Sequence, residues 1–232
     1  MRILTLITAR GGSKRVPKKN IKNLSGKPLL CWSIEAALNN SYICDILVST
    51  DDKEIADIAK ENGAMVPWLR PKELSSDGAS SVDAALHALD WYEKNYGVVD
   101  GLLLLQPTSP FRTEETISKA IELFKKDKER AVISVSPARD HPMWCYKIED
   151  EKIVPFIEKK GEHLMSQDLP MAYITNGSIY IISSEQLRAT KSFYPENSRP
   201  MIMERFEEGL DIDTEWDWKI AEMASNSYLQ KS

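Results

Sequence analysis

Ile3-Leu4-Thr5-Leu6-Ile7-Thr8-Ala9-Arg10-Gly11-Gly12-Ser13-Lys14-Arg15-Val16-Pro17-Lys18-Lys19-Asn20 opens the chain with an apolar run that breaks into a basic, glycine-containing loop. A short apolar run that ends at a glycine-containing loop reads as a buried strand, here Leu4 to Thr8. Two adjacent glycines permit positive φ and close backbone approach, and Arg10, Lys14, Arg15, Lys18 and Lys19 add cations, so a polyanion can meet N–H groups and side chains together. Open α/β sheets bind ligands outside the carboxyl ends of their strands, where this loop lies. It reads as a triphosphate grip; the competing reading is a solvated loop whose lysines only keep the protein soluble.

The charge distribution favours the grip. Residues 1–34 hold eight Lys or Arg and no Asp or Glu, whereas the remainder carries 22 basic and 35 acidic residues. The loop is not a Walker A sequence, because Gly26-Lys27 is followed by Pro28, and no Gly-x-Gly-x-x-Gly dinucleotide fingerprint is present.

Outward from the loop, Leu29 to Leu38 predicts a helix and Asp45 to Thr50 a second strand ending in Ser49-Thr50-Asp51-Asp52. Asp52 is placed to cap a helix from Lys53 to Asn62, stopped by Gly63. Val82, Ala85, Leu86, Leu89 and Tyr92 or Tyr96 recur at helical spacing. Gly101 to Leu105 is a fully apolar strand, Thr113 to Lys126 a helix and Ala131 to Val135 another strand. This alternation predicts a parallel sheet covered on both faces. After Ser136 the pattern breaks: short strands surround the turn Glu149-Asp150-Glu151 and 161–173 is irregular, an excursion from the sheet. Regular structure resumes at Gly177 to Ile182, and Leu210-Asp211-Ile212-Asp213 leads into a helix from Glu215.

A chain of 232 residues with 42% hydrophobic content buries a full core and suits one domain, 1–232. A net charge of −5 with a single local basic cluster argues against nucleic acid as a partner and for a small anionic ligand. Cys31, Cys44 and Cys145 are scattered and match neither a disulfide framework nor a zinc site. The leading apolar run is too short for a signal sequence, and none approaches the roughly 20 residues that span a bilayer, so a cytoplasmic protein with no membrane partner is expected.

Asp211-Ile212-Asp213 is the second informative pattern. On an extended backbone residues i and i+2 project to the same face, so two carboxylates point into one space, where they can hold Mg²⁺ against a nucleotide phosphate. The alternative is that Asp213 or Thr214 merely caps the following helix. Leu103 to Pro110 places Gln106, which both donates and accepts hydrogen bonds, at the end of an apolar strand. Asn176 offers an amide, and Tyr180, Phe193 and Tyr194 offer aromatic faces suited to a sugar, although Tyr180 and Phe193 read equally as core. None of His87, His141 and His163 reads as a catalytic base.

Taken together, Ala9-Arg10-Gly11-Gly12-Ser13-Lys14 with Lys19-Asn20, Ser49-Thr50-Asp51, Leu69-Arg70-Pro71 through Ser76-Asp77-Gly78-Ala79-Ser80-Ser81, Leu104 to Pro110, Asn176 to Tyr180 and Asp211 to Glu215 resemble the N-acylneuraminate cytidylyltransferases, the CMP-sialic acid or CMP-nonulosonate synthetases. The resemblance extends over essentially the whole chain. It implies a Rossmann-like α/β nucleotidyltransferase fold, with a mostly parallel sheet, helices on both faces, and an excursion at about 137–174 that builds a homodimer. It also implies the reaction of CTP with a nine-carbon keto-acid sugar to give the CMP-sugar and pyrophosphate. Nucleotide binding is then expected at Ala9, Arg10, Gly11, Gly12, Ser13, Lys14, Lys19, Asn20, Arg70, Ala79 and Ser81. Gln106, Asn176, Tyr180, Phe193 and Tyr194 fall where the family holds its sugar, and Asp211 and Asp213 where it binds Mg²⁺. Arg10 and Lys14, with the two aspartates, form the catalytic set, because charge grows on the departing pyrophosphate. The alternatives are a Kdo or other sugar nucleotidyltransferase, and a catalytically silent nucleotide-binding module.

One departure from that family concerns the sugar. Its members commonly carry an arginine before Gln-x-Leu-Pro and a basic residue shortly after His-Pro; here Ser166 precedes Gln167-Asp168-Leu169-Pro170, and Met143 and Trp144 follow His141-Pro142. A serine cannot replace a guanidinium on a carboxylate, and Trp144 presents an apolar face suited to an acyl or deoxy substituent. A legionaminic-type 5,7-diacylamino sugar is therefore expected to serve at least as well as N-acetylneuraminate.

Overall fold

The computed structural model describes residues 1–76, 78–157 and 165–229, with backbone alone at Ser166 and 226–229. Asp77, His163 and part of the excursion lie outside the described residues.

β1 (Ile3–Thr8) runs into the basic loop, after which β2 (Asn23–Leu24) and β3 (Lys27–Pro28) form a small hairpin ahead of α1 (Leu29–Leu38). There follow β4 (Ile43–Ser49), α2 (Lys53–Glu61), α3 (Ser81–Tyr96), β5 (Gly101–Leu105), α4 (Glu114–Lys125) and β6 (Val132–Pro137). The excursion carries the hairpin β7 (Tyr146–Glu149) and β8 (Lys152–Pro155), and the chain returns through β9 (Tyr173–Ile182), α5 (Ser184–Thr190), β10 (Arg199–Ile202) and α6 (Glu215–Leu229). The helix starts follow side-chain chemistry: the carboxylate of Asp52 accepts from the amides of Glu54 at 2.7 Å and Ile55 at 3.2 Å, and Ser80, Thr113 and Ser183 cap α3, α4 and α5 likewise.

The main sheet has six strands in the order β10-β6-β9-β5-β1-β4. β1 pairs in parallel with β4 and β5, and β10 with β6, but β9 runs antiparallel to both its neighbours. Period-two alternation sorts the core onto two faces. Ile3, Ile7, Val48, Leu103 and Leu105 pack with α1, α2 and α4, while Leu4, Leu6, Leu47, Leu102 and Leu104 pack with α3 and α5. Helices on both faces and a mostly parallel sheet accord with expectation; the antiparallel β9, short α5 and edge strand β10 add to it.

A third apolar cluster matters most for function. Val16 of the basic loop, Leu29 and Trp32 of α1, Phe111 after β5, Leu210 and Ile212 before α6, and Trp218 of α6 share one small core. Segments far apart in the chain are thereby clamped at the end of the sheet where β1, β4 and β5 finish.

The β6–β9 ladder is interrupted: Ile133 pairs with Tyr180, but Val135 pairs with Thr175, so two steps on β6 answer five on β9. Ser134 fills the gap. Its hydroxyl donates to Asn176 Oδ1 at 2.5 Å and accepts from the amide of Ile179 at 2.8 Å. Gly177, at φ 74°, takes the left-handed conformation this bulge requires. The chain leaves the sheet after Pro137 and rejoins it at Tyr173, with β7 and β8 joined by Asp150 and Glu151, both at positive φ.

Candidate active site

β1, β4 and β5 are parallel, so their carboxyl ends deliver the basic loop, Thr50-Asp51 and Gln106-Pro107-Thr108 to one edge of the sheet. A cleft of about 660 Å³ opens there. Arg10, Ser13, Lys14, Lys19, Asn20, Arg70, Ala79, Ser81, Gln106, Asp211 and Asp213 line it, together with Arg15 of the cationic loop and with Thr108 and Ser80, to which the sequence reading gave no role. The remaining glycine-loop positions play other parts. Ala9 is buried in the core, and neither Gly11 nor Gly12 adopts positive φ. Close approach, the other property of glycine, is used: a Cβ on Gly11 would stand 2.7 Å from Asp52 Oδ2 and 2.9 Å from its Cβ, while the Gly11 amide donates to Asp51 at 2.9 Å. The left-handed residue in this loop is Lys18, at φ 51°.

Several cleft residues are fixed by their own bonds. Asn20 is buried and donates from Nδ2 to the Arg10 carbonyl at 2.8 Å, pinning the loop. Arg70 is buried; its Nε donates to Ser49 Oγ at 2.9 Å and its Nη2 to the Ser49 carbonyl. Burial pulls the Arg70 pKa below the ordinary arginine value, with Asp51 opposing the shift.

Ile212 is fully buried in the third cluster, and its amide donates to the Thr108 carbonyl at 2.8 Å. Burying an isoleucine contributes about 1.5–3 kcal/mol, enough to hold this extended register and turn Asp211 and Asp213 together toward the cleft. Gly209 lets the segment pass β6, since a Cβ there would lie 2.3 Å from Ser136 Oγ. The helix cap is made by other groups: Thr214 Oγ1 accepts from the Asp217 amide at 3.2 Å, and Asp217 accepts from the amides of Thr214 at 2.7 Å and Asp213 at 3.1 Å. Both cleft carboxylates are thus left out of capping. Asp213 pairs with Arg15 at 3.2 Å and Lys19 at 3.3 Å, and Lys19 also donates to the Ile212 carbonyl at 2.6 Å. Burial in the cleft walls raises the Asp211 pKa above the ordinary aspartate value; a Thr108 hydrogen bond opposes the shift and the Asp213 charge adds to it.

The other sugar-side candidates lie beside the cleft rather than in its lining. Asn176 is buried, and its Nδ2 donates to Ser136 Oγ at 2.9 Å while its Oδ1 serves the bulge. Tyr180 and Phe193 are buried with ring centroids 5.8 Å apart, and Tyr194 is exposed with its hydroxyl 2.8 Å from that of Tyr180. Burial first, then that hydrogen bond, pushes the Tyr180 phenol far above its ordinary pKa, with Asp211 adding to the effect, so Tyr180 stays neutral at physiological pH. His141 has structural work: its Nδ1 accepts from the Met143 amide at 3.2 Å, and its Nε2 lies 3.1 Å from the Pro170 carbonyl.

A cationic loop and two carboxylates lining one strand-end cleft define a nucleotidyltransferase-type site. Residues 4–231 match the family described as Cytidylyltransferase, and the chain belongs to that family. It is 42% identical over 224 residues to the CMP-N,N'-diacetyllegionaminic acid synthase of Legionella pneumophila, covering 96% of this chain and 95% of the relative. It is 31% identical to a pseudaminic acid cytidylyltransferase of Campylobacter jejuni, covering 96% of each chain. A CMP:2-keto-3-deoxy-manno-octonic acid synthetase solved in complex with CTP shares the fold, with a TM-score of 0.70 at 16% identity over 98% of this chain and 99% of that one. These matches bear out the family resemblance carried by the motifs.

Proposed function

We propose that this chain is a Mg²⁺-dependent CMP-nonulosonate synthetase, and that a legionaminic-type 5,7-diacylamino sugar serves it at least as well as N-acetylneuraminate. The observation that supports the reaction most directly is the shared cleft, lined by Arg10, Ser13, Lys14 and Lys19 together with Asp211 and Asp213. The 42% identity to a diacetyllegionaminate synthase supports the sugar, along with Trp144 and Ser166 where sialate enzymes commonly carry basic side chains.

In this reading the sugar's anomeric hydroxyl gives its proton to solvent as its oxygen bonds to the α-phosphorus of CTP, the bond from that phosphorus to the β-phosphate bridge breaks, and pyrophosphate departs. Arg10 and Lys14 neutralise the charge that grows on the leaving group, and Asn20, Arg70, Ala79 and Ser81 hold the cytidine. Mg²⁺ fits the residues present. It usually takes one or two carboxylates and completes its shell with phosphate oxygens and water, and no cluster of three or more His, Cys, Asp or Glu fit to hold a metal exists among the described residues. Asp211 and Asp213 would hold it, and a dication would offset the cost of burying the Asp211 carboxylate, to which the Asp213 charge adds. When bound, the ion supplies electrophilic stabilisation of phosphate charge.

The test is pyrophosphate release with CTP, UTP, ATP and GTP against N-acetylneuraminate, N,N'-diacetyllegionaminic acid and Kdo. Turnover is expected with CTP and the nine-carbon acids. CTP binding without turnover would favour a silent module, and turnover with Kdo alone a different sugar nucleotidyltransferase. A preference for N-acetylneuraminate above about tenfold in kcat/KM, roughly 1.4 kcal/mol, would sink the choice of sugar while leaving the cytidylyltransferase assignment intact.

The same reading makes the protein a homodimer through its excursion and places it in the cytoplasm, where Cys31, Cys44 and Cys145 remain free thiols. Among the described residues no helix is long and apolar enough to cross a membrane. Ile148, Ile153, Phe156 and Met171 are 82%, 73%, 68% and 71% exposed on the excursion, apolar side chains that a second subunit would cover. Sedimentation at micromolar concentration is expected to show a dimer, and Ile148→Asp with Phe156→Asp to shift it toward monomer. A wild-type monomer would remove this assignment.

A further inference from the structure

We infer that Arg112 is a positioning residue for the sugar side of the cleft, acting through Gln106. It is 0% exposed and the bulkiest of the fully buried side chains, in the short segment between β5 and α4. Its guanidinium joins three pieces of chain distant in sequence. Nη2 donates to the Gln106 carbonyl, Nη1 to Ser33 Oγ of α1 at 2.8 Å, and Nε to Ser178 Oγ in the β9 bulge at 3.3 Å.

Burying a guanidinium is unfavourable unless its donors are satisfied, and a planar fork of donors constrains direction as an apolar side chain of the same volume cannot. The constraint here falls on the spacing between the end of β5 and the bulge of β9. That spacing seats the Gln106 side chain, whose Oε1 lies 2.7 Å from where a Cβ on Gly177 would stand. Gln106 lines the cleft; Arg112 does not, so its influence on a ligand passes through Gln106. On the nucleotide wall Asn20 and Arg70 are held instead by Arg10 and Ser49. Loosening the Arg112 fork should therefore be felt on the sugar side alone.

This inference rests on the proposal that Gln106 faces the sugar, and the experiment separates the two. Steady-state kinetics with CTP and N,N'-diacetyllegionaminic acid, each varied in turn, are measured on the full chain for wild type, Gln106→Ala, Ser178→Ala, Arg112→Lys and the double variant Gln106→Ala with Ser178→Ala, together with thermal unfolding midpoints. Ser178→Ala and Arg112→Lys are expected to raise the sugar KM by about three- to tenfold with the CTP KM within about twofold, and Ser178→Ala to add almost nothing in the Gln106→Ala background. If Arg112→Lys does not fold, Ser178→Ala carries the test, because it removes one acceptor and keeps the guanidinium. A raised sugar KM in Gln106→Ala with none in Ser178→Ala overturns the inference alone, as do equal shifts in both KM values or effects that multiply in the double variant. An unchanged sugar KM in Gln106→Ala overturns the reading of Gln106 and the inference with it.

Discussion

Asp211→Ala and Asp213→Ala are each expected to lower kcat by about a thousandfold or more, with the protein still folded. Removing a ligand for a dication that neutralises phosphate charge takes away several kcal/mol of transition-state stabilisation, and about 1.4 kcal/mol is tenfold in rate. The structure adds a second readout. The folded-state pKa of Asp211 is raised, so its carboxyl holds a proton more tightly folded than unfolded. That preference favours the fold below the ordinary aspartate pKa and is lost as pH rises through the raised folded value. At neutral pH in EDTA, then, Asp211→Ala removes a carboxyl whose burial, with the Asp213 charge added, works against its charged form, and leaves the Ile212 anchor in place, so the unfolding midpoint should hold or rise. Near-normal turnover of either variant at limiting Mg²⁺ would remove that residue from the metal site. A midpoint lowered by many degrees would show that the loss of rate came from the fold.

Arg10→Ala and Lys14→Ala are expected to raise the CTP KM by about 10- to 100-fold each, matching the roughly 1.5–3 kcal/mol of a hydrogen bond to a charged group. A fall in kcat should accompany it, because charge accumulates on pyrophosphate as its bond breaks. The sugar KM should stay within about twofold. Initial rates with CTP and sugar varied separately decide this; a variant with unchanged CTP binding and unchanged rate would reduce the loop to a solvated surface.

What was legible in the sequence was whatever depends on neighbours in the chain. The apolar runs Ile3–Thr8 and Gly101–Leu105 are strands because nearly every side chain on both faces is buried. Asp52, read as a cap, starts its helix through bonds spanning two or three residues, and Ser80 and Thr113 do the same for helices whose spans were read without their caps. The basic loop and the Asp211–Asp213 pair are likewise local patterns, and both line the cleft. Thr214 was legible as a candidate cap, but the role of Ile212 and Asp217's share in the cap were hidden, although together they settle whether those aspartates serve the helix or the cleft. One depends on a core built from five separate segments, and a local spacing rule cannot choose between two short-range partners for the same carboxylate.

Tertiary structure alone decided the direction of β9, since an apolar strand of Ile and Tyr reads the same parallel or antiparallel; its pairing with β5 and β6 is non-local. The bulge at Gly177 follows from that pairing, and so does the contact of Gly177 with Gln106. Tyr180 and Phe193, open between core and ligand surface in the sequence, are buried beside the cleft because this turn of the chain packs them against each other. Arg112 is the extreme case: charge and sequence neighbours mark it as a surface residue, yet Ser33 and Ser178, 79 and 66 positions away, enclose it. Sequence by itself determined most of the strands and helices, the basic loop and the acidic pair, because hydrophobic period and charge are properties of a segment. Which side chains meet in one cleft, and which buried groups hold them there, was decided only when distant segments closed on each other.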